Sequence, residues 1–266
     1  MRIVLWIGEG ANQRALANKI NSTLPLSGIV VEAKKTKTKV AVLKVFEKII
    51  ERIFLSSISK AWFGMLEFYK KKYSEYPKTA CLEVENINSD EVFGFTEAQK
   101  PDLIVVSGTR LIKRKLLSIT PSVGIVNLHT GLSPYIKGGP NCTNWCIATK
   151  QFHLIGNTIM WLDAGIDTGN IITTEFTEFT GEETLCELHI KVMEHAHDLY
   201  VRCIQKLIAG QRTSVPQISI GEGKTFYTRQ WGLKQKIDLI RNFRGFKKEI
   251  HLPLFEEMRR QLTLIN

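Results

Sequence analysis

The apolar positions of this chain follow two rhythms. Ile3 to Ile7 is an unbroken apolar run, followed by Gly8, Gly10 and an amphipathic stretch ending near Ile20. That order predicts a buried strand, a glycine turn and a helix. Gly28 to Val31 predicts a second short strand and Cys81 to Val84 a third. Ser89 is placed to cap a helix that ends before Pro101, because proline disfavours helix in the residue ahead of it. Asp102-Leu-Ile-Val-Val106 and Val123 to Leu128 are near-continuous apolar runs, the signature of parallel strands covered on both faces. Strands alternating with helices predict an α/β fold: a mainly parallel open sheet with flanking helices, Rossmann-like in outline.

Residues 34–74 interrupt this rhythm. Lys34, Lys35, Lys37, Lys39, Lys44 and Lys48 alternate with Val42, Val45, Phe46, Ile49 and Ile53 at helical spacing, and Phe54, Trp62, Phe63 and Leu66 extend the apolar content. The expectation is a helical insertion packed on the body with its lysines in water. Farther along, Thr180 and Glu183 have capping-box spacing. They predict a helix that carries Leu185, Leu188, Val192, Ala196, Leu199, Cys203 and Leu207 on one stripe and stops at Gly210, where glycine suits the residue after a helix. From there the pattern weakens into a basic stretch with Lys224, Arg229, Lys234, Lys236, Arg241, Arg244, Lys247 and Lys248. Residues 1–210 are thus expected to form one catalytic domain and residues 211–266 a basic C-terminal appendage.

Composition adds a few bounds. With 266 residues, 44% of them hydrophobic, the chain can bury a sizeable core. No apolar run approaches the roughly 18 residues of a membrane span. The formal net charge of +10 favours an anionic partner, whether nucleotide, RNA or membrane face. The five cysteines are scattered, without a second Cys/His pair to complete a metal site beside Cys142 and Cys146, so no metal is expected and a reducing cytoplasm fits best.

The chemistry is concentrated in two stretches. In Val126-Asn127-Leu128-His129-Thr130-Gly131-Leu132-Ser133-Pro134 a buried strand ends by delivering Asn127 and His129 into a loop. Residues two apart on a strand face the same way, and open α/β sheets bind ligands at the carboxyl ends of their strands. An amide donor and a titratable ring suit a carbonyl that becomes an oxyanion. In Met160-Trp161-Leu162-Asp163-Ala164-Gly165-Ile166-Asp167-Thr168-Gly169-Asn170 two aspartates occupy a turn-rich segment after a strand starting near Thr158. A carboxylate beside His129 would hold its tautomer and raise its pKa. Gly8-Glu-Gly10-Ala11-Asn12 opens the first helix, and a glycine turn at a helix N-terminus suits phosphate.

Asn-x-His, then Leu-x-Pro, Lys-Gly and Trp, then Asp-x-Gly-Ile-Asp-Thr-Gly resembles the folate-dependent formyltransferase family, which includes glycinamide ribonucleotide transformylase, methionyl-tRNA formyltransferase and the sugar N-formyltransferases. The resemblance implies Asn127, His129 and Asp167 as catalytic residues and 10-formyltetrahydrofolate as co-substrate. It assigns Arg110, Leu111, Ile112 and Asp163 to the folate pocket, and Gly8, Gly10, Ala11 and Asn12 to the acceptor. Thr130-Gly131 departs from the family, where many members have Pro-Ser. Pro134, Gly138 and Trp145 read as loop-shaping and packing residues. His153, His189, His195, His197 and His251 lack matching partners and are expected to be structural or exposed.

The acceptor expected first is a nucleotide-linked amino sugar, because a short basic tail and an anionic nucleotide fit each other, and a homodimer is the expected assembly. Charged initiator tRNA is the alternative acceptor, the purine-pathway ribonucleotide a third, and formate-releasing hydrolysis would use the same three residues. From another class, a non-catalytic RNA- or membrane-binding protein fits the charge but leaves the Asn, His and Asp set without a purpose.

Overall fold

The computed structural model describes residues 1–33 and 55–266. A seven-stranded sheet runs through its centre in the order β3-β2-β1-β4-β5-β7-β8. The strands are β1 (Ile3–Gly8), β2 (Leu26–Glu32), β3 (Ala80–Val84), β4 (Leu103–Ser107), β5 (Gly124–His129), β7 (Gly156–Trp161) and β8 (Ile171–Phe176). The first five pair in parallel, and β7 is antiparallel to both β5 and β8. Two short strands, β6 (Ile136–Gly138) and β9 (Lys224–Phe226), pair in parallel away from this sheet.

Alternation along each strand divides the core in two. Leu5, Ile7, Val105 and Val126 pack under α1 (Ala11–Thr23) and α6 (Leu185–Ile208). Val4, Trp6, Ile104 and Ile125 face Val92 of α3 (Asp90–Gln99) and Leu116 of α4 (Arg114–Leu117). Burial on both faces explains why these strands read as unbroken apolar runs. Strand β1 lies between β2 and β4, so successive connections leave its edges in opposite directions, which opens a crevice at the strands' carboxyl ends. Gly8 keeps that crevice narrow: a Cβ there would lie 2.7 Å from the Gly108 carbonyl oxygen.

Of the expected insertion, residues 34–54, which include its lysines from Lys34 to Lys48, lie outside the described residues. Its remainder is the helix α2 (Ser56–Lys72), which buries Ala61, Met65 and Tyr69. Met65 and Tyr69 meet Ala15 and Met193, from α1 and α6. Beyond α6 the chain forms α7 (Leu233–Phe243), α8 (Phe246–Ile250) and α9 (Pro253–Arg260), which join α5 (Cys142–Ala148) in a second apolar cluster through Leu239, Phe246 and Phe255. The C-terminal residues also hydrogen-bond the edge strand β8: Thr174 N–H donates to Ile265.

Three local expectations differ from the structure. The capping box of α6 is made by Thr184 and Glu187, four residues later than the predicted pair. Thr180 and Glu183 instead close a turn, with the Thr180 and Gly181 N–H groups donating to the Glu183 carboxylate at 2.8 Å. Gly181 adopts φ +86°, a left-handed conformation that an α-helix cannot contain. Ser89 precedes α3 as expected, but its hydroxyl makes no capping bond. His195 does have a carboxylate partner, with Nε2 at 2.9 Å from Glu175, while Nδ1 meets Thr177 at 2.9 Å.

Candidate active site

A cavity of about 580 Å³ opens at the carboxyl ends of β4 and β5, with Met160 and Trp161 of the antiparallel β7 in its wall. Strand period brings Asn127 and His129 to one face of β5, and β7 runs alongside, pairing Asn127 with Met160 and His129 with Thr158. The Thr158 hydroxyl donates to the Gly131 carbonyl at 2.6 Å and accepts the Ser133 N–H at 2.9 Å, which fixes the loop leaving His129. Gly131 is required there: an added Cβ would sit 2.6 Å from His129 Nε2 and 2.9 Å from Cys142 Cβ. In this chain the side chain of Cys142 occupies the space beside the imidazole ring.

Asp167 comes back to this pair from the β7–β8 connection. Its Oδ2 lies 3.3 Å from His129 Nδ1 and accepts the Gly138 N–H at 3.0 Å. Its Oδ1 lies 3.5 Å from Asn127 Nδ2. The Asp167 backbone has φ +52°, a conformation that Asp and Asn tolerate better than other side chains. Gln217 holds it from outside, donating to the carbonyls of Asp167 and Gly169, each at 2.8 Å.

Both nitrogens of His129 face acceptors, since Nε2 lies 3.3 Å from the Ile136 carbonyl oxygen. Two acceptors require two ring N–H groups, which describes the imidazolium. The pKa follows: burial works against the charge, but the Asp167 carboxylate, with the Ile136 carbonyl assisting, outweighs it and pushes His129 up from 6.5 to about 10. Burial raises the Cys142 thiol despite the neighbouring imidazole, so Cys142 stays protonated next to the ring.

The other expected residues fall in several places. Arg110, Leu111 and Ile112 all line the cavity, Leu111 at its exposed rim and Ile112 buried. Asp163 also lines it, but its Oδ1 is taken up by the Gly165 N–H at 2.9 Å and the Thr168 hydroxyl at 2.6 Å, so it shapes the loop that carries Asp167. Of the glycine turn, Asn12 reaches the cavity wall, whereas Gly8, Gly10 and Ala11 are not among the lining residues. The Asn12 amide points to Met193 of α6.

The sequence reading did not place Gln13, Trp62, Met193, Phe226, Tyr227 or Thr228 at the site, yet all line the cavity. The last three arrive through the pairing of β9 with β6, and Phe226 is stacked on Trp145 with ring centroids 4.1 Å apart. Among the described residues, no group of three or more His, Cys, Asp and Glu side chains gathers to hold a metal. Nor is any helix among them long and apolar enough to cross a membrane.

Comparison with known proteins bears on the family and the fold. The formyl transferase family matches residues 1–204. Methionyl-tRNA formyltransferase from Clostridium perfringens is 34% identical over 131 residues, covering 49% of this chain and 41% of that protein. The matched stretch therefore spans about two-fifths of the length of that relative. The solved structure of a sugar N-formyltransferase from a Shewanella species superposes with a TM-score of 0.58 at 14% identity, over 91% of this chain and 88% of the other. The N-formyltransferase from Helicobacter canadensis, in complex with folinic acid and dTDP-3-aminofucose, gives 0.54 at 15% identity over 91% and 81%. Phosphoribosylglycinamide formyltransferase from Anaplasma phagocytophilum gives 0.55 at 15% identity over 86% and 98%. These structures share the fold, and the match over residues 1–204 goes further: the chain belongs to the formyl transferase family.

Proposed function

We propose that this chain is an N-formyltransferase that moves the formyl group of 10-formyltetrahydrofolate to the amine of a nucleotide-linked amino sugar. The observation that carries the reading is the contact of Asp167 with both Asn127 and His129 at the end of a cavity. The cavity suits a folate. It has a polar end, formed by those three residues, and apolar walls from Val106, Ile112, Met160 and Leu162.

In this mechanism the acceptor amine attacks the formyl carbon and the carbonyl π electrons move onto its oxygen. The Asn127 N–H and the His129 imidazolium stabilise that oxyanion, and a single donor of this kind contributes about 3 kcal/mol. Asp167 keeps His129 charged and, directly or through water, accepts the proton that the attacking nitrogen loses. The intermediate then collapses. The bond from carbon to the folate nitrogen breaks, that nitrogen takes up a proton, and a formamide and tetrahydrofolate leave.

The acceptor side is bounded by Asn12 and Gln13 at the start of α1, by Trp62, and by Phe226 to Thr228. Backbone N–H groups at a helix start suit a phosphate, and aromatic faces suit a nucleobase. The likeness to the Helicobacter canadensis enzyme, whose structure contains dTDP-3-aminofucose, extends over 91% of this chain. A tRNA acceptor is the second reading, favoured by the 34% identity to methionyl-tRNA formyltransferase.

The test offers purified protein and 10-formyltetrahydrofolate a panel of amino-sugar nucleotides and, separately, charged initiator tRNA. A formamide product on a sugar nucleotide is expected. Formylation of the tRNA alone would transfer the chain to the second reading, and release of formate without either product would make it a hydrolase.

A further inference from the structure

Glu32 ends β2 with its side chain completely buried, although Arg110 beside it is 44% exposed. Its carboxylate is held by two other segments. Oε1 accepts the Ile87 N–H at 3.0 Å, and Oε2 accepts the Arg110 N–H at 2.8 Å. The Arg110 guanidinium closes over it, with Nε 3.6 Å from Oε1 and Nη1 donating to the Glu85 carbonyl at 3.0 Å. Asn88, next to Ile87, grips the same loop farther on. Its amide donates to the Leu111 carbonyl at 3.0 Å and its Oδ1 accepts the Lys113 N–H at 2.7 Å.

The loop held this way is a wall of the cavity, since every residue from Ser107 to Ile112 lines it. Neither Glu32 nor Asn88 is itself a lining residue. Burying a carboxylate is costly unless its oxygens are matched by donors. Here the donors are two backbone N–H groups and a guanidinium from segments that no regular ladder joins. The clamp fixes the backbone on both sides of Leu111, which leans over the cavity rim.

We infer that Glu32 and Asn88 are positioning residues for the folate donor: they set the 107–112 wall against which the folate packs. This rests on the proposal that residues 110–112 line the folate site. It predicts that loss of the clamp weakens folate binding while leaving the chemical step and the acceptor side intact.

Glu32→Gln keeps the shape but one carbonyl acceptor replaces two carboxylate oxygens, and the ion pair is lost. Asn88→Ala removes the second grip from a half-buried position. For each variant, KM for 10-formyltetrahydrofolate and the Kd of tetrahydrofolate should rise by about tenfold, with kcat within twofold and the acceptor KM unchanged. A merely structural role would lower Tm and leave those constants alone. Folded variants with unchanged folate constants would overturn the inference, and Asn88→Ala decides it if Glu32→Gln does not fold. Failure of the unmodified protein to bind tetrahydrofolate would instead overturn the proposed function, and this inference with it.

Discussion

His129 Nδ1 lies 3.3 Å from Asp167 Oδ2, although one residue ends a central strand and the other sits in a loop held from outside by Gln217. The same carboxylate oxygen takes the Gly138 N–H, so the aspartate locks the loop after β5 as well as the imidazole. Its two oxygens are thus shared among an imidazole, an amide side chain and the backbone.

Asp167→Asn is the cleanest probe of this contact, because Asn tolerates the φ of +52° at that position. Turnover should fall by about a hundredfold or more. Asp163→Asn loses part of the loop's internal bonding and should cost no more than about tenfold. Steady-state kinetics of the two variants decide the assignment, and a reversed order would overturn it.

The elevated pKa of His129 has a definite sign in a pH profile. Held charged to about 10 in the folded protein, it places no activity limb between pH 6 and 8. Activity that depends on the imidazolium should decline only as pH rises toward 10. The same group stabilises the fold fully below pH 6.5, its value without the site, and that contribution is lost as pH climbs through the folded value. Comparing Tm against pH for the protein and His129→Gln should show the two curves converging at high pH.

His189 and His197 behave in the opposite way. Burial depresses them to about 4 and about 3, with Lys19 adding to the effect at His197. The unfolded chain binds these protons near 6.5 and the folded one does not, so stability should drop as pH falls from 6.5 toward 4. Replacing both by Gln should flatten that slope in chemical denaturation, whatever it does to stability at pH 8.

Tyr227 is half-exposed at the cavity wall and carries Arg229 over its ring at 5.4 Å. Tyr227→Ala should raise the acceptor KM by about tenfold, in line with the loss of a base–aromatic stack, with the folate KM unchanged. A shift in the folate constant alone would remove Tyr227 from the acceptor side.

Much of the sheet was legible because β1, β4 and β5 are covered on both faces and so read as near-continuous apolar runs. Asn127 and His129 were legible for the same reason, as polar residues at matching phase on an apolar strand. The start of α6 was not. Thr180–Glu183 and Thr184–Glu187 carry the same spacing, and only the left-handed Gly181 separates a turn from a helix start. Glu32 and Gln217 were invisible because their meaning lies in distant backbone groups, Arg110 for one and Asp167 for the other. Strand period paired Asn127 with His129, whereas the choice of Asp167 over Asp163 came from the family resemblance. The Phe226 to Thr228 wall needed the β6–β9 pairing, which three-residue strands do not advertise.

That pairing brings to the cavity wall residues from outside the matched stretch. Asn127, His129 and Asp167 lie within the stretch that the family shares, residues 1–204, whereas Phe226, Tyr227 and Thr228 lie beyond it. On the proposed reading, one part of the acceptor side lies outside the shared stretch and can vary there, while Asn12, Gln13 and Trp62 lie within it. With Phe226 to Thr228 bounding the acceptor as proposed, β9 is a short cassette whose exchange should alter the preference for the amine without touching Asn127, His129 or Asp167.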